Sequence, residues 1–162
     1  MGTRSFIAKE NKDGSFKGIY CHWDGYVEHN GQLLFEHYTK PAKINALIRL
    51  GDISALAPEI GEKHPFDFSK TMLVDGVRQD NPEYDPAWAK MVLAYGRDRG
   101  EEGTEPKTFA TEQELISWAE GSGGEYIYIW RNGQWYVSAR YKENRSFYRL
   151  KDILESGWDE DE

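Results

Sequence analysis

The sequence predicts an α+β domain: a mixed or antiparallel sheet built from two β-hairpins plus a central strand, with two to three helices packed on a face of it. Three observations predict it. Apolar-rich runs flank two turn dipeptides, Asp13-Gly14 and Asn132-Gly133. A further apolar run, Met91 to Tyr95, lies between them, and other segments carry apolar residues at helical rather than alternating spacing.

Residues 3–10 and 16–23 flank Lys12-Asp13-Gly14-Ser15. Asp-Gly between such runs signals a hairpin, because a type I′ turn needs positive φ at both central residues. A two-residue loop fixes the register: Phe6 with Cys21, Ala8 with Ile19 and Glu10 with Lys17 on one face, Ile7 with Tyr20 and Ser5 with His22 on the other. His22 and Cys21 then point to opposite faces.

After Asp24-Gly25, Leu33, Leu34, His37 and Tyr38 form one helical stripe. A second helix is expected from Pro41, capped by Thr39, with Ile44, Leu47, Ile48 and Leu50 as its apolar face and Gly51 as its stop. A short helical turn is expected at Ile53 to Leu56. Residues 57–87, with Pro58, Pro65, Pro82 and Pro86, read as a long ordered loop with at most one short strand at Met72-Leu73-Val74.

Met91 to Tyr95 reads as a strand and Gly96 to Gly103 as a polar loop. Thr111 to Glu114 is a capping box opening a helix that carries Leu115, Ile116 and Trp118 and ends at Gly121, Gly123 and Gly124. Tyr126 to Trp130 and Trp135 to Tyr141 join through Asn132-Gly133, pairing Trp130 with Trp135 and Tyr128 with Val137. Ser146 to Leu154 begins extended and ends as a helical turn. There is no internal repeat and no linker, so residues 1–158 read as one domain, with Trp158 the last anchored residue and 159–162 an acidic flexible tail.

The net charge of −8 is uneven: residues 1–50 carry 7 basic and 5 acidic groups, residues 51–162 carry 13 and 23. That balance disfavours general nucleic-acid binding, which needs Lys and Arg at phosphates, and suits a basic partner. A lone cysteine, Cys21, forms no internal disulfide and no cysteine pair of metal-binding type exists. The start of the chain has no apolar signal core, and Tyr126 to Trp130 is too short to span a bilayer. The expectation is a cytoplasmic protein with no membrane segment.

Several stretches carry a family likeness: Gly2-Thr3-Arg4-Ser5, Ile19-Tyr20-Cys21-His22-Trp23-Asp24-Gly25-Tyr26, His37-Tyr38, Leu50-Gly51-Asp52-Ile53-Ser54 and Ala94-Tyr95-Gly96-Arg97-Asp98-Arg99-Gly100-Glu101. In this order, and out to about residue 103, the chain resembles a family of small proteins encoded by bacteriophages and prophages. Val27 departs from the proline common there. The resemblance implies an origin, and so a bacterial host cell, rather than an activity or cofactor. Small phage accessory proteins block, mimic or redirect host proteins, antiviral defence systems included, which makes a host protein the expected partner.

Three groups of residues are candidates for chemistry. The first gathers Arg4, His22, Trp23, Asp24, Tyr26, Glu28, His29 and His37 around one hairpin end. His22-x-Asp24 suits two metal ligands or a base with its orienter if the strand continues. The plainer reading makes Asp24-Gly25 a turn and the aromatics core or interface residues. The second is Arg97, Asp98, Arg99, Glu101 and Glu102 after a strand, where two guanidiniums suit a phosphate or carboxylate and the acids compete for them in a local salt-bridge network.

The third runs from Arg131 to Lys151, six basic residues and one acid interleaved with Trp135, Tyr136, Tyr141, Phe147 and Tyr148. That composition suits single-stranded nucleic acid, and equally an amphipathic hairpin with aromatics inward. No phosphate loop, zinc-helix motif or nucleophile elbow is present, and mid-strand Cys21 reads as a buried thiol. No catalytic residue, metal ligand or cofactor is assigned. The sequence thus favours a binder of a host macromolecule, an inhibitor of a bacterial antiviral defence system. The alternative is an enzyme or small-molecule binder centred on His22, Asp24, His29, Arg97 and Arg99, which requires the two loops to meet in one cleft.

Overall fold

A computed structural model describes residues 2–141 and 145–158; the tail at 159–162 lies outside the described residues. Strands β1 (Ser5–Glu10) and β2 (Phe16–Cys21) form the expected antiparallel hairpin. Its loop has three residues, not two. Asn11 N donates to Ser15 O (2.7 Å), Gly14 N donates to Asn11 O (3.0 Å), and within the loop only Gly14 takes positive φ, 88°. The Asp13 carboxylate accepts from Ser15 N (3.0 Å) and Ser15 Oγ (2.6 Å), so Asp13 stabilises the turn without left-handed backbone. The register is therefore corrected by one residue: Phe6 stands opposite Tyr20, Ile7 opposite Ile19, Lys9 opposite Lys17 and Glu10 opposite Phe16.

A π-helical turn, Val27–Gly31, runs into helix α1 (Gln32–His37), burying Leu34 and the following Tyr38 while His37 stays exposed. Helix α2 (Pro41–Arg49) buries Ile44, Leu47 and Ile48 as its spacing predicts. Its cap is Lys40, whose extended backbone leaves Thr39 one residue too early, and among the described residues no side chain caps the helix. Gly51 ends the segment at φ 80°, and a Cβ there would lie 2.1 Å from Thr104 O, which accepts Asp52 N. Only glycine fits that approach.

Ile53–Ala55, expected as a helical turn, is strand β3, because the open end of β2 offers it partners. The 57–87 stretch holds a second, separate sheet: β4 (Thr71–Val74) and β5 (Val77–Asp80) joined through Asp75-Gly76, with φ 52° and 81°. A 3-10 turn, Pro86–Lys90, follows. The expected strand at Met91 to Tyr95 shortens to β6 (Leu93–Ala94), and Tyr95 opens helix α3 (Tyr95–Arg99) within what reads as a loop.

Strand β7 (Lys107–Phe109) pairs with the first half of β2. Helix α4 (Glu112–Gly121) starts at the expected cap, Thr111 Oγ1 accepting from Glu114 N at 3.2 Å. Strands β8 (Tyr126–Arg131) and β9 (Gln134–Ala139) take the expected register, Trp130 opposite Trp135 and Tyr128 opposite Val137, with Asn132 and Gly133 both at positive φ. Strand β10 (Tyr148–Arg149) and helix α5 (Leu150–Ser156) close the described chain.

The main sheet runs β10-β9-β8-β1-β2-β3-β6 with β7 also on β2, and β1 and β8 pair in parallel at its centre. It is a mixed sheet in an α+β domain. Helices cover both faces rather than one. Ile7, Ile19, Cys21, Tyr128 and Val137 meet residues of α1, α2 and α5, whereas Phe6, Ala8, Phe16, Ile127 and Ile129 meet Leu115 and Ala119 of α4. Alternation along each strand feeds both cores. Buried rings keep their polar tips satisfied: Tyr128 Oη donates to Gly25 O (2.6 Å), Tyr38 Oη to Ala57 O (2.7 Å) and Trp135 Nε1 to Tyr38 O (2.8 Å). Among the described residues no helix is long and apolar enough to cross a membrane.

Candidate functional site

Strand β3 brings the two candidate loops next to each other. His22 N donates to Ile53 O (3.1 Å) and Trp23 N to Ser54 O (3.0 Å), while on the other edge Ile53 pairs with Ala94 and Tyr95 N donates to Asp52 O (3.2 Å). Around this junction Tyr20, His22 and Trp23 form a polar-aromatic group. Tyr20 Oη lies 2.6 Å from His22 Nδ1, and the His22 and Trp23 rings meet edge to face at 4.7 Å. The Asp52 carboxylate accepts Tyr20 N at 3.0 Å, and its partial burial raises its pKa.

Burial, then the nearby Arg4 cation, pushes the His22 pKa below the ordinary histidine value. Titrating the His22 ring protons by NMR is expected to give a midpoint below ~6.5. Arg4→Gln is expected to move it upward, since a neighbouring cation disfavours imidazolium. A midpoint unmoved by that change would place Arg4 out of reach.

The rest of the first group parts from this junction. Asp24 takes positive φ (55°), turning the chain after Trp23, and its Oδ1 lies 3.5 Å from Tyr26 Oη. No described hydrogen bond joins His22 to Asp24. His29 Nδ1 contacts Asn30 Oδ1 (2.9 Å), and the buried Asn30 amide donates to Ser5 Oγ, Cys21 Sγ and Trp23 O. His37 sits at the exposed end of α1 beside Glu36 (3.8 Å).

In the second group Arg97 and Asp98 turn inward. Arg97 Nη1 donates to Ile60 O (2.8 Å), Nη2 to Val92 O (2.6 Å) and Nε to Asp98 Oδ1 (3.0 Å). Asp98 also accepts from His64 N (3.1 Å) and Ala94 N (2.7 Å). This network clamps the 60–64 segment to β6. Arg99 stacks over Phe66 and Tyr95 at 4.5 and 4.9 Å and pairs with Glu101 (2.6 Å), the local salt-bridge network that the sequence admits.

In the third group Arg131 is held by Glu10 and Glu112, Arg149 by Asp152 (2.9 Å), and Arg145 is buried with Nη2 on Gly124 O (2.9 Å). Trp135 points into the core. Among the described residues no group of three or more His, Cys, Asp or Glu could hold a metal ion.

Sequence reasoning misses two features. One is a recess of about 200 Å³ lined by His64, Phe66, Phe68, Tyr84, Trp88 and Met91, where Trp88 meets Phe68 and Tyr84 edge to face at 5.3 and 5.2 Å. Beyond it projects the β4–β5 arm, exposed nearly throughout, Leu73 by 61% and Val77 by 62%. The Asp75-Gly76 pair was the available signal. The other is a basic cleft between the first hairpin and α2. No protein-family model, curated protein or solved structure matches the chain.

Proposed function

We propose that the chain is a phage or prophage accessory protein that binds a host protein through the β4–β5 arm and so inhibits a bacterial antiviral defence system. The observation that carries the binding reading is the arm itself. Met72↔Gln79 and Val74↔Val77 are directly opposite pairs, so Met72, Val74 and Val77 share one uncharged face, with Leu73 beside Arg78 on the other. All four apolar side chains are exposed. Among the described residues β4 and β5 pair only with each other, which leaves two open strand edges. A protruding edge with apolar side chains is a template for a partner's strand or cleft, and soluble proteins ordinarily blunt such edges. The bacterial target rests on the family resemblance. The alternative centred on His22, Asp24, His29, Arg97 and Arg99 draws less support, because every described donor contact of Arg97 is inside the protein.

Leu73→Glu combined with Val77→Thr tests this. The introduced glutamate would face Arg78 and threonine suits a strand, so the melting temperature is expected to stay within about 1–2 °C, as for surface substitutions generally. Affinity for the host protein captured by the wild type is expected to fall at least tenfold, and protection of phage in a defended host should fall with it. A double variant that binds and protects like the wild type would remove the arm from the mechanism.

A further inference from the structure

The cleft between the first hairpin and α2 is lined by Lys9, Asn11, Lys17, Asn45, Ile48 and Arg49 and measures about 280 Å³. We propose that it binds a phosphate group, either inorganic phosphate or the phosphate of a small nucleotide. The hairpin register places Lys9 directly opposite Lys17. Side chains so paired start ~5 Å apart, and like charges there repel. Both lysines lie on the Ile7 and Ile19 face, beneath α2, so alternation aims them into the same space as Arg49 at the end of that helix.

Among the described residues no acid lines the cleft, although the chain holds 28 acids against 20 cations. Glu10, next along β1, points to the opposite face and is paired with Arg131. Asp13 is occupied at the turn by Ser15. Among the described residues neither Lys17 nor Arg49 enters an ion pair. Lys9 Nζ donates to Asn45 Oδ1 (2.5 Å), and Asn45, whose amide group also carries two N–H donors, lines the cleft beside it.

The carbonyl end of α2 accounts for one nearby cation. It does not account for two lysines facing each other with a third cation beside them. A tetrahedral dianion offers several acceptor oxygens and removes that repulsion. At about 280 Å³ the cleft falls just below the roughly 300–1,000 Å³ of drug-sized ligand pockets, a size that suits a phosphate with a small carrier.

The test compares the full chain with Lys17→Glu, an exposed position where glutamate would face Lys9 as an opposite charge. Without added anion the variant is expected to melt at or above the wild-type temperature. Inorganic phosphate is expected to raise the wild-type melting temperature saturably, beyond sodium chloride of equal ionic strength, and to leave the variant unmoved. Calorimetry should give at least a tenfold weaker Kd for the variant. AMP binding tighter than phosphate, with adenosine inactive, would identify a nucleotide site; equal affinities would identify free phosphate. Equal phosphate responses of wild type and variant, or a response no larger than that to chloride, would overturn the proposal.

Discussion

Asp98→Ala is expected to cost about 3–5 kcal/mol of stability, the range for removing one partner of a buried ion pair. Its side chain is buried and accepts from two backbone N–H groups, His64 N and Ala94 N, and from Nε and Nη2 of Arg97. Alanine leaves the guanidinium without its counter-charge and both N–H groups without acceptors. Because the network joins residues 60–64 to β6, opening there should loosen the aromatic recess and the arm beyond it. Urea unfolding should record the loss, the melting temperature should fall by roughly 10 °C, and proteolysis should concentrate between residues 60 and 90. Asp98→Asn, which keeps an acceptor but not the charge, should fall between. A loss below ~1 kcal/mol would mean that the pair is not structural and would return Arg97 to the candidate binding residues.

The same Gly-containing signal was legible at one hairpin and misleading at another. Asn132-Gly133 takes positive φ at both residues and yields the expected register. Asp13-Gly14 does not, because Asp13 bonds Ser15 through its side chain, and a three-residue loop then satisfies the turn with glycine alone left-handed. Local sequence does not distinguish these solutions. The one-residue slip replaces an expected Glu10 and Lys17 pair by Lys9 opposite Lys17, which is why the basic cleft was invisible.

Strand β3 was unreadable for another reason. Three residues carry no periodicity, and Ile53–Ala55 is extended because β2 and β6 flank it. The second helical layer had a signal in the consecutive apolar residues Phe6-Ile7-Ala8, which require cover on both faces. The inward turn of Arg97 and Asp98 depends on segment 60–64, some 35 residues away in the chain, and no local pattern encodes it.

Alkaline pH is expected to destabilise the fold from about pH 9, with Cys21 alone accounting for about 2–3 kcal/mol by pH 11. Cys21 is buried against Ile53 and Tyr128 in the larger core, and burial pushes its thiol up to about 11 from 9.0, against lowering contributions from Asn30, Trp23 and Ser5. Its S–H is oriented toward Trp23 O at 3.5 Å, a bond only the neutral thiol donates. Below pH 9 both folded and unfolded chains hold this proton, so the stabilisation is intact. Between 9 and 11 the unfolded chain releases it while the folded chain keeps it, so the unfolded state binds fewer protons and stability falls as pH rises. Burial raises the pKa of Tyr128 and Tyr38 as well, which continues the loss above pH 10. Urea unfolding at pH 8, 9, 10 and 11 should show the decline, and Cys21→Ala, less stable at pH 8 through its cavity, should decline less steeply between 9 and 11. The native thiol should also resist alkylation at pH 8 and react once unfolded. Parallel pH curves for the two proteins, or rapid labelling of the folded chain, would place Cys21 in water rather than in the core.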